Sequence, residues 1–242
     1  MNKKYIITTG YWNGTNNNTE NQNSEKIDFV KKFFNIWWEN TLKYSKPQDI
    51  LVINQNSTCL PDEKKGKWLD TLYNLGHVHA LDSNNYPHKK FAGCSITFMI
   101  AALYCYNSNC DMIYKEQDCL AFGDWINKLY IDAEEKNAKM LIGRAEDSHG
   151  QTSAQSVLLI KHDFLLDFVK SYISLEHNDA GYNYVRPERK FTILKNIIHP
   201  ESIQFMSMGY DRERPKDFNE ETYYIQQVNQ DELNLLKKIG KL

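Results

Sequence analysis

The residues best placed to do chemistry lie together in Ile113-Tyr114-Lys115-Glu116-Gln117-Asp118-Cys119-Leu120. Glu116 and Asp118 are two carboxylates separated by one residue, directly after a strand-like apolar run. At a strand end, that spacing lets both face one hard cation and a diphosphate. Mg²⁺ or Mn²⁺ prefers oxygen ligands and is commonly held by one or two carboxylates plus phosphate oxygens. Held there, such a cation neutralises charge on a departing nucleoside diphosphate, which is Lewis-acid chemistry. An acid-x-acid tripeptide carries little information by itself, since a solvated acidic turn has the same composition. Its place along the chain is what distinguishes it.

That place is the end of the fourth strand in an alternating first half. Tyr5 to Thr9 is a short β-rich run ending in Gly10, and Asn13 to Ser24 is a polar loop. From Glu25 the period becomes helical, with Ile27, Val30, Phe34, Trp37 and Trp38 on one face, until Pro47 stops it. Asp49 to Asn54 reads as a fully buried strand. Lys67 to Leu75 reads as a helix, His77 to Asp82 as a strand, Ala92 to Tyr106 as a buried helix and Asp111 to Glu116 as a strand. Such alternation predicts right-handed βαβ units and a mainly parallel sheet flanked by helices, an α/β fold. Ligands of open sheets bind beyond the carboxyl ends of the strands. Here those ends are all polar: Thr8-Thr9-Gly10, Asn54-Gln55-Asn56, Asp82-Ser83 and Glu116-Gln117-Asp118.

The second half is less regular. Helices are predicted over Trp125 to Asn137 and Asp163 to Leu175, and strands over Lys139 to Gly143 and Ser156 to Ile160. After Glu176 the chain turns polar and loop-rich, and Asp231 to Ile239 closes it as a short helix. With no internal repeat and no linker, residues 1-242 read as a single domain.

Composition narrows the partners. The 242 residues are 41% hydrophobic and 13% aromatic, which is globular, and long enough to bury a sizeable core. A net charge of -2 gives no electrostatic case for nucleic acid. The longest apolar run, Phe91 to Tyr106, falls short of the roughly 20 residues of a membrane helix and contains Gly93, Ser95 and Thr97. Five cysteines (Cys59, Cys94, Cys105, Cys110, Cys119) include no C-x-x-C pair, and no signal peptide opens the chain. The expectation is therefore reduced thiols in a cytoplasmic protein.

The first ~120 residues resemble a GT-A glycosyltransferase: a nucleotide-binding, Rossmann-like βαβ half ending in a D-x-D-type motif, here Glu116-Gln117-Asp118. Glu stands in place of the first Asp, keeping the charge on a longer arm, and Asp118 matches the last. The resemblance implies a metal-dependent enzyme that moves a sugar from a nucleoside-diphosphate sugar to a hydroxyl of a glycan acceptor. Residues 1-120 would bind the nucleotide sugar and 121-242 the acceptor, with Mn²⁺ or Mg²⁺ as cofactor. It also implies roles for other residues. Thr8, Thr9, Gly10 and Tyr11 would cradle the base and ribose, and Asp82 would contact the base. Lys89 and Lys90 would reach the diphosphate, joined by the helix start at Ala92-Gly93-Cys94-Ser95 with its free N–H groups. A general base in the C-terminal half would be Asp147 or Glu188. A late histidine, His199 or His149, would complete the metal shell.

Other residues have two readings each. Arg212 and Arg214 would share a side if extended and clamp a phosphate, or they form a salt-bridged turn. Trp12, Trp125, Tyr182 and Tyr184 either stack on sugar rings or pack in the core. His77 and His79 alternate on a strand without a third ligand nearby. A nucleotidyltransferase of similar fold is the nearest alternative activity. Its usual Gly-rich basic signature is missing, because Thr9-Gly10-Tyr11-Trp12-Asn13-Gly14 has no Lys or Arg. Gly10 and Gly14 are also too far apart for a dinucleotide-binding turn. A non-catalytic sugar-binding module is the alternative from another class.

Overall fold

The computed structural model describes residues 3–11, 24–54, 57, 60–61, 65–70, 92–144, 153–177, 187–209 and 214–242. Strand β1 (Tyr5–Tyr11) lies inside the sheet, parallel to β2 (Asp49–Asn54) on one side and to β4 (Asp111–Lys115) on the other. Both flanks of β1 are covered, so all seven of its residues are buried, as expected where helices coat both faces of a parallel sheet. Helix α1 (Ser24–Tyr44) connects β1 to β2, and α2 (Ala92–Asn107) precedes β4.

Beyond β4 come β7 (Ser153–Ile160), β6 (Met140–Arg144) and β8 (Ile203–Phe205), while β3 (Lys67–Asp70) pairs with β2 at the other edge. The resulting seven-stranded order is β3-β2-β1-β4-β7-β6-β8. Only β7 runs against its neighbours, being antiparallel to both β4 and β6, whereas β6 and β8 are parallel. The expected α/β, mainly parallel sheet flanked by helices is therefore the observed architecture.

Two cores separate along the sheet faces. Phe33, Phe34 and Trp37 of α1 pack with Trp125, Leu129 and Ala133 of α3 (Trp125–Glu135) and with Leu233 and Leu236 of α6 (Gln230–Lys238). On the other face Phe98 and Ala101 of α2 meet Phe168 and Tyr172 of α4 (Leu165–His177) and Phe191 of α5 (Pro187–Ile193). Proline suits the first position of α5, where its missing N–H would have no helical partner. Asn229 caps α6 through a reciprocal capping box with Glu232.

Several elements differ from the expectation. Lys67–Asp70 is an edge strand rather than the start of a helix, because it pairs in parallel register with Leu51–Asn54 of β2. The expected strand at His77 to Asp82 lies outside the described residues. The stretch after Glu176, expected to be loop-rich, contains α5, a π-helical turn over Leu194–Ile198, β8 and β9 (Tyr223–Gln226). Strand β5 (Cys119–Phe122) was not expected either. It pairs with β9 as a separate antiparallel two-stranded ribbon. The ribbon packs closely on the sheet: a Cβ on Gly143 of β6 would lie 2.8 Å from the Tyr224 hydroxyl. Among the described residues no helix is long and apolar enough to cross a membrane. Cys105, Cys110 and Cys119 are buried; the side chains of Cys59 and Cys94 lie outside the described residues.

Candidate active site

Strand β4 delivers the acidic pair to the carboxyl end of the sheet. The Glu116 N–H continues the ladder to the Ser156 carbonyl of β7 at 2.8 Å, and the Cys119 N–H returns to the Glu116 carbonyl at 3.0 Å. This closes a tight turn holding Glu116, Gln117 and Asp118 before β5 begins. Strand β9 then lies alongside, with Gln226 opposite Cys119.

The side-chain amide of Gln226 spans the two acids. Its Nε2 donates to Glu116 Oε2 at 2.7 Å and to Asp118 Oδ1 at 3.1 Å. Its Oε1 accepts from the Ser156 hydroxyl at 3.0 Å. Gln226 is buried at 5% exposure, so these bonds are made away from bulk water, where polar groups need partners. The next residue tightens the arrangement: the Gln227 N–H donates to the Asp118 carbonyl at 3.1 Å. Gln227 does so in the left-handed backbone region, at φ 55. A non-glycine residue held there costs energy and tends to occur where a site constrains the chain.

Lys115 supports the turn from behind. It is fully buried and donates to Asn40 Oδ1 at 2.9 Å and to Thr41 Oγ1 at 2.7 Å. The Trp37 and Trp125 rings face its ammonium at 4.9 and 5.9 Å. Removal from water pushes the Lys115 pKa down to about 7, with the nearby Cys119 acting weakly the other way. Asn40 does double duty. Its Nδ2 donates to the Ala121 carbonyl and its Oδ1 accepts from the Ala121 N–H, both at 3.0 Å. A side chain of α1 thus pairs with the edge of β5 that β9 leaves open. Through Asn40, the residue before the acidic turn and a residue just after it share one anchor.

Other expected residues fall in several places. Thr8, Thr9, Gly10 and Tyr11 sit at the end of β1, and all are buried. Thr8 pairs in register with Tyr114 of β4, and its hydroxyl has no hydrogen-bond partner among the described residues. The Tyr11 ring packs edge-on against Phe34 and Trp68 at 5.2 and 5.5 Å. Ser95, in the first turn of α2, is buried with its hydroxyl 3.3 Å from that of Tyr172 and 3.4 Å from Lys190 Nζ. Arg214 lies beside the acidic turn: it donates to the Gln227 carbonyl at 3.0 Å and forms an ion pair with Glu232. Burial acts to raise the Glu232 pKa, but the Arg214 guanidinium and the Asn229 N–H together hold the carboxyl below its usual value.

The structure does not bring His199 to this group. Its ring bonds to the Ser171 hydroxyl at 2.7 Å and meets Phe164 edge-on at 5.0 Å, against α4. The buried Trp125 is a core residue rather than a sugar-stacking surface. Asp82, Lys89, Lys90, Asp147, His149 and Arg212 lie outside the described residues, as do Trp12, His77, His79, Tyr182 and Tyr184. Glu188 belongs to the first turn of α5, but its side chain is also outside them.

Among the described residues no three His, Cys, Asp or Glu side chains group to hold a metal ion. The donor chemistry of the acidic turn nonetheless fits Mg²⁺ or Mn²⁺. Such ions take one or two carboxylates and complete their shell with water and phosphate oxygens. The sequence does not mark Gln226 as a site residue. It is uncharged and stands 110 residues from Glu116, so nothing local marks it.

No protein-family model matches the chain, and no curated protein matches it. Solved structures do resemble it. One is a glycosyltransferase involved in the glycosylation of the major capsid of PBCV-1, 10% identical, with TM-score 0.52, covering 99% of this chain and 100% of that one. Mouse xyloside xylosyltransferase 1 is 9% identical with TM-score 0.54, covering 95% and 98%. An active-site mutant of LgtC is 8% identical with TM-score 0.51, covering 93% and 87%. At such identities the likeness is one of fold. The chain has the GT-A glycosyltransferase fold.

Proposed function

We propose that the protein is a glycosyltransferase that moves a sugar from a nucleoside-diphosphate sugar to a hydroxyl of a glycan acceptor. The observation that carries this reading is the Glu116–Asp118 pair, spanned by Gln226 at the carboxyl end of β4. In this reading Glu116 and Asp118 hold Mg²⁺ or Mn²⁺ beside the diphosphate. The bound ion supplies Lewis-acid neutralisation of the leaving group. Asp118 is the shorter arm, and Glu116 lies beside it. Arg214, two hydrogen bonds from Asp118 through Gln227, is a candidate to contact phosphate oxygens. The buried end of β1 and the first turn of α2 with Ser95 supply walls for the nucleotide. Lys89, Lys90, Asp82 and Arg212 are further candidates for nucleotide contacts. Asp147 and Glu188 are the candidate bases that take the acceptor proton.

A thermal-shift screen of nucleoside diphosphates and nucleotide sugars, with and without Mn²⁺ or Mg²⁺, tests the reading. A diphosphate plus cation should raise the melting temperature, and Asp118→Ala should abolish the rise. Stabilisation by nucleoside triphosphates alone would point to a nucleotidyltransferase instead. No response to any nucleotide would leave a non-catalytic sugar-binding module as the better account.

A further inference from the structure

Gln226 spans the two acids with one side-chain atom. Its Nε2 stands 2.7 Å from Glu116 Oε2 and 3.1 Å from Asp118 Oδ1. An octahedral Mg²⁺ with ligand distances of about 2.05 Å sets neighbouring ligand oxygens about 2.9 Å apart. Nε2 lies at hydrogen-bond distance from one oxygen of each carboxylate, and neighbouring ligands of such a shell stand at a similar spacing. The partly positive NH₂ donates to both acids.

A side-chain amide has oxygen and nitrogen ends of nearly the same shape, and turning it over exchanges them. Turned over, Oε1 faces the two carboxylates, an arrangement that is repulsive alone and favourable around a cation. Nε2 then faces Ser156 Oγ, which now donates to Oε1 at 3.0 Å. A hydroxyl accepts as readily as it donates, so Ser156 serves either orientation. The exchange leaves neither end of the buried amide without a partner.

We propose that Gln226 is the third side-chain oxygen of the cation site, and that its amide turns over as the cation enters. This rests on the reading of Glu116 and Asp118 as cation ligands. The donor set becomes two carboxylates and an amide, all oxygen, which suits Mg²⁺ and Mn²⁺. It contains no imidazole or thiolate to favour a softer ion.

The test uses the full chain with ¹⁵N-labelled glutamine, titrated with Mg²⁺ and followed by NMR, alongside calorimetric Mg²⁺ affinities. The Gln226 NH₂ signals, identified by their loss in Gln226→Met, should move in step with Mg²⁺ binding. Gln226→Met, which keeps the shape but offers neither amide atom, should bind Mg²⁺ at least about 10-fold more weakly. Gln226→Glu keeps an oxygen at the same place and should bind it more tightly, which decides the matter if Gln226→Met does not fold. Wild-type binding combined with equal or tighter binding by Gln226→Met would mean that the amide merely competes with the cation. That result, or weaker binding by Gln226→Glu, overturns the proposal and leaves the acidic pair as ligands. Failure of the wild-type chain to bind Mg²⁺ or Mn²⁺, with or without a nucleoside diphosphate, overturns both.

Discussion

Lys115→Met removes a buried ammonium whose polar partners, Asn40 and Thr41, are both neutral. Burial pushes the Lys115 pKa from 10.5 down to about 7. Between those pH values the unfolded chain keeps a proton that the folded chain has released, so stability rises with pH across that window. Below about pH 7 both states are charged and the full penalty applies. At ~1.4 kcal/mol per pH unit, the gap corresponds to about 5 kcal/mol at its limit, and to about 2 kcal/mol between pH 7 and 9. Methionine fills a similar volume and carries no proton, but it loses two hydrogen bonds worth about 1 kcal/mol each. The variant should therefore be more stable than wild type by about 2 kcal/mol at pH 7, and the two stability curves should cross near pH 9. Urea unfolding followed by tryptophan fluorescence from pH 6.5 to 9.5, with chelator present, measures both. Parallel curves for wild type and variant across that range would refute the reasoning.

Two further substitutions probe the same scaffold. Asn40→Leu strips partners from the Ala121 N–H, the Ala121 carbonyl and the Lys115 ammonium at once. At about 1–3 kcal/mol for each buried group left without a partner, urea unfolding should show a loss of at least about 3 kcal/mol. Gly123→Ala puts a Cβ 2.0 Å from the Glu221 carbonyl oxygen at a residue with φ +68. Neither the backbone clash nor the left-handed conformation can relax cheaply, so a loss of at least about 2 kcal/mol is expected in the same assay. A wild-type midpoint for either variant would contradict the contact it tests.

The parts legible in the sequence were those with a long period or an unbroken apolar run. The α1 face through Phe34 and Trp37, the apolar α2 and the buried β2 and β4 all stand where the pattern put them. Short non-local strands were not legible. Cys119–Phe122 and Tyr223–Gln226 have four residues each, all buried, so neither alternates and each depends on the other for pairing. Lys67–Asp70 is partly or fully exposed throughout, and only its register with β2 makes it a strand. The charged stretch before Phe191 hides α5, whose seven residues are too few to display a helical period. In the site, the acids at Glu116 and Asp118 were visible because charge and spacing mark them. Gln226, Asn40 and Ser156 act through hydrogen bonds to distant partners, and a neutral amide or hydroxyl looks the same in a core as in a loop.

The ribbon of β5 and β9 lies outside the seven-stranded sheet, and through Gln226 it bonds side chains 108 and 110 positions apart. Closing so long a loop is among the slower steps open to a chain of this kind. A molecule can complete its main sheet and still lack the amide that spans its acids. Any ligand recognising the spanned pair binds only after β9 has docked, and so draws the last stage of folding forward by mass action. Ligand binding then reports that assembly is complete, down to the β9 side chains that fill the core beside α1 and α3.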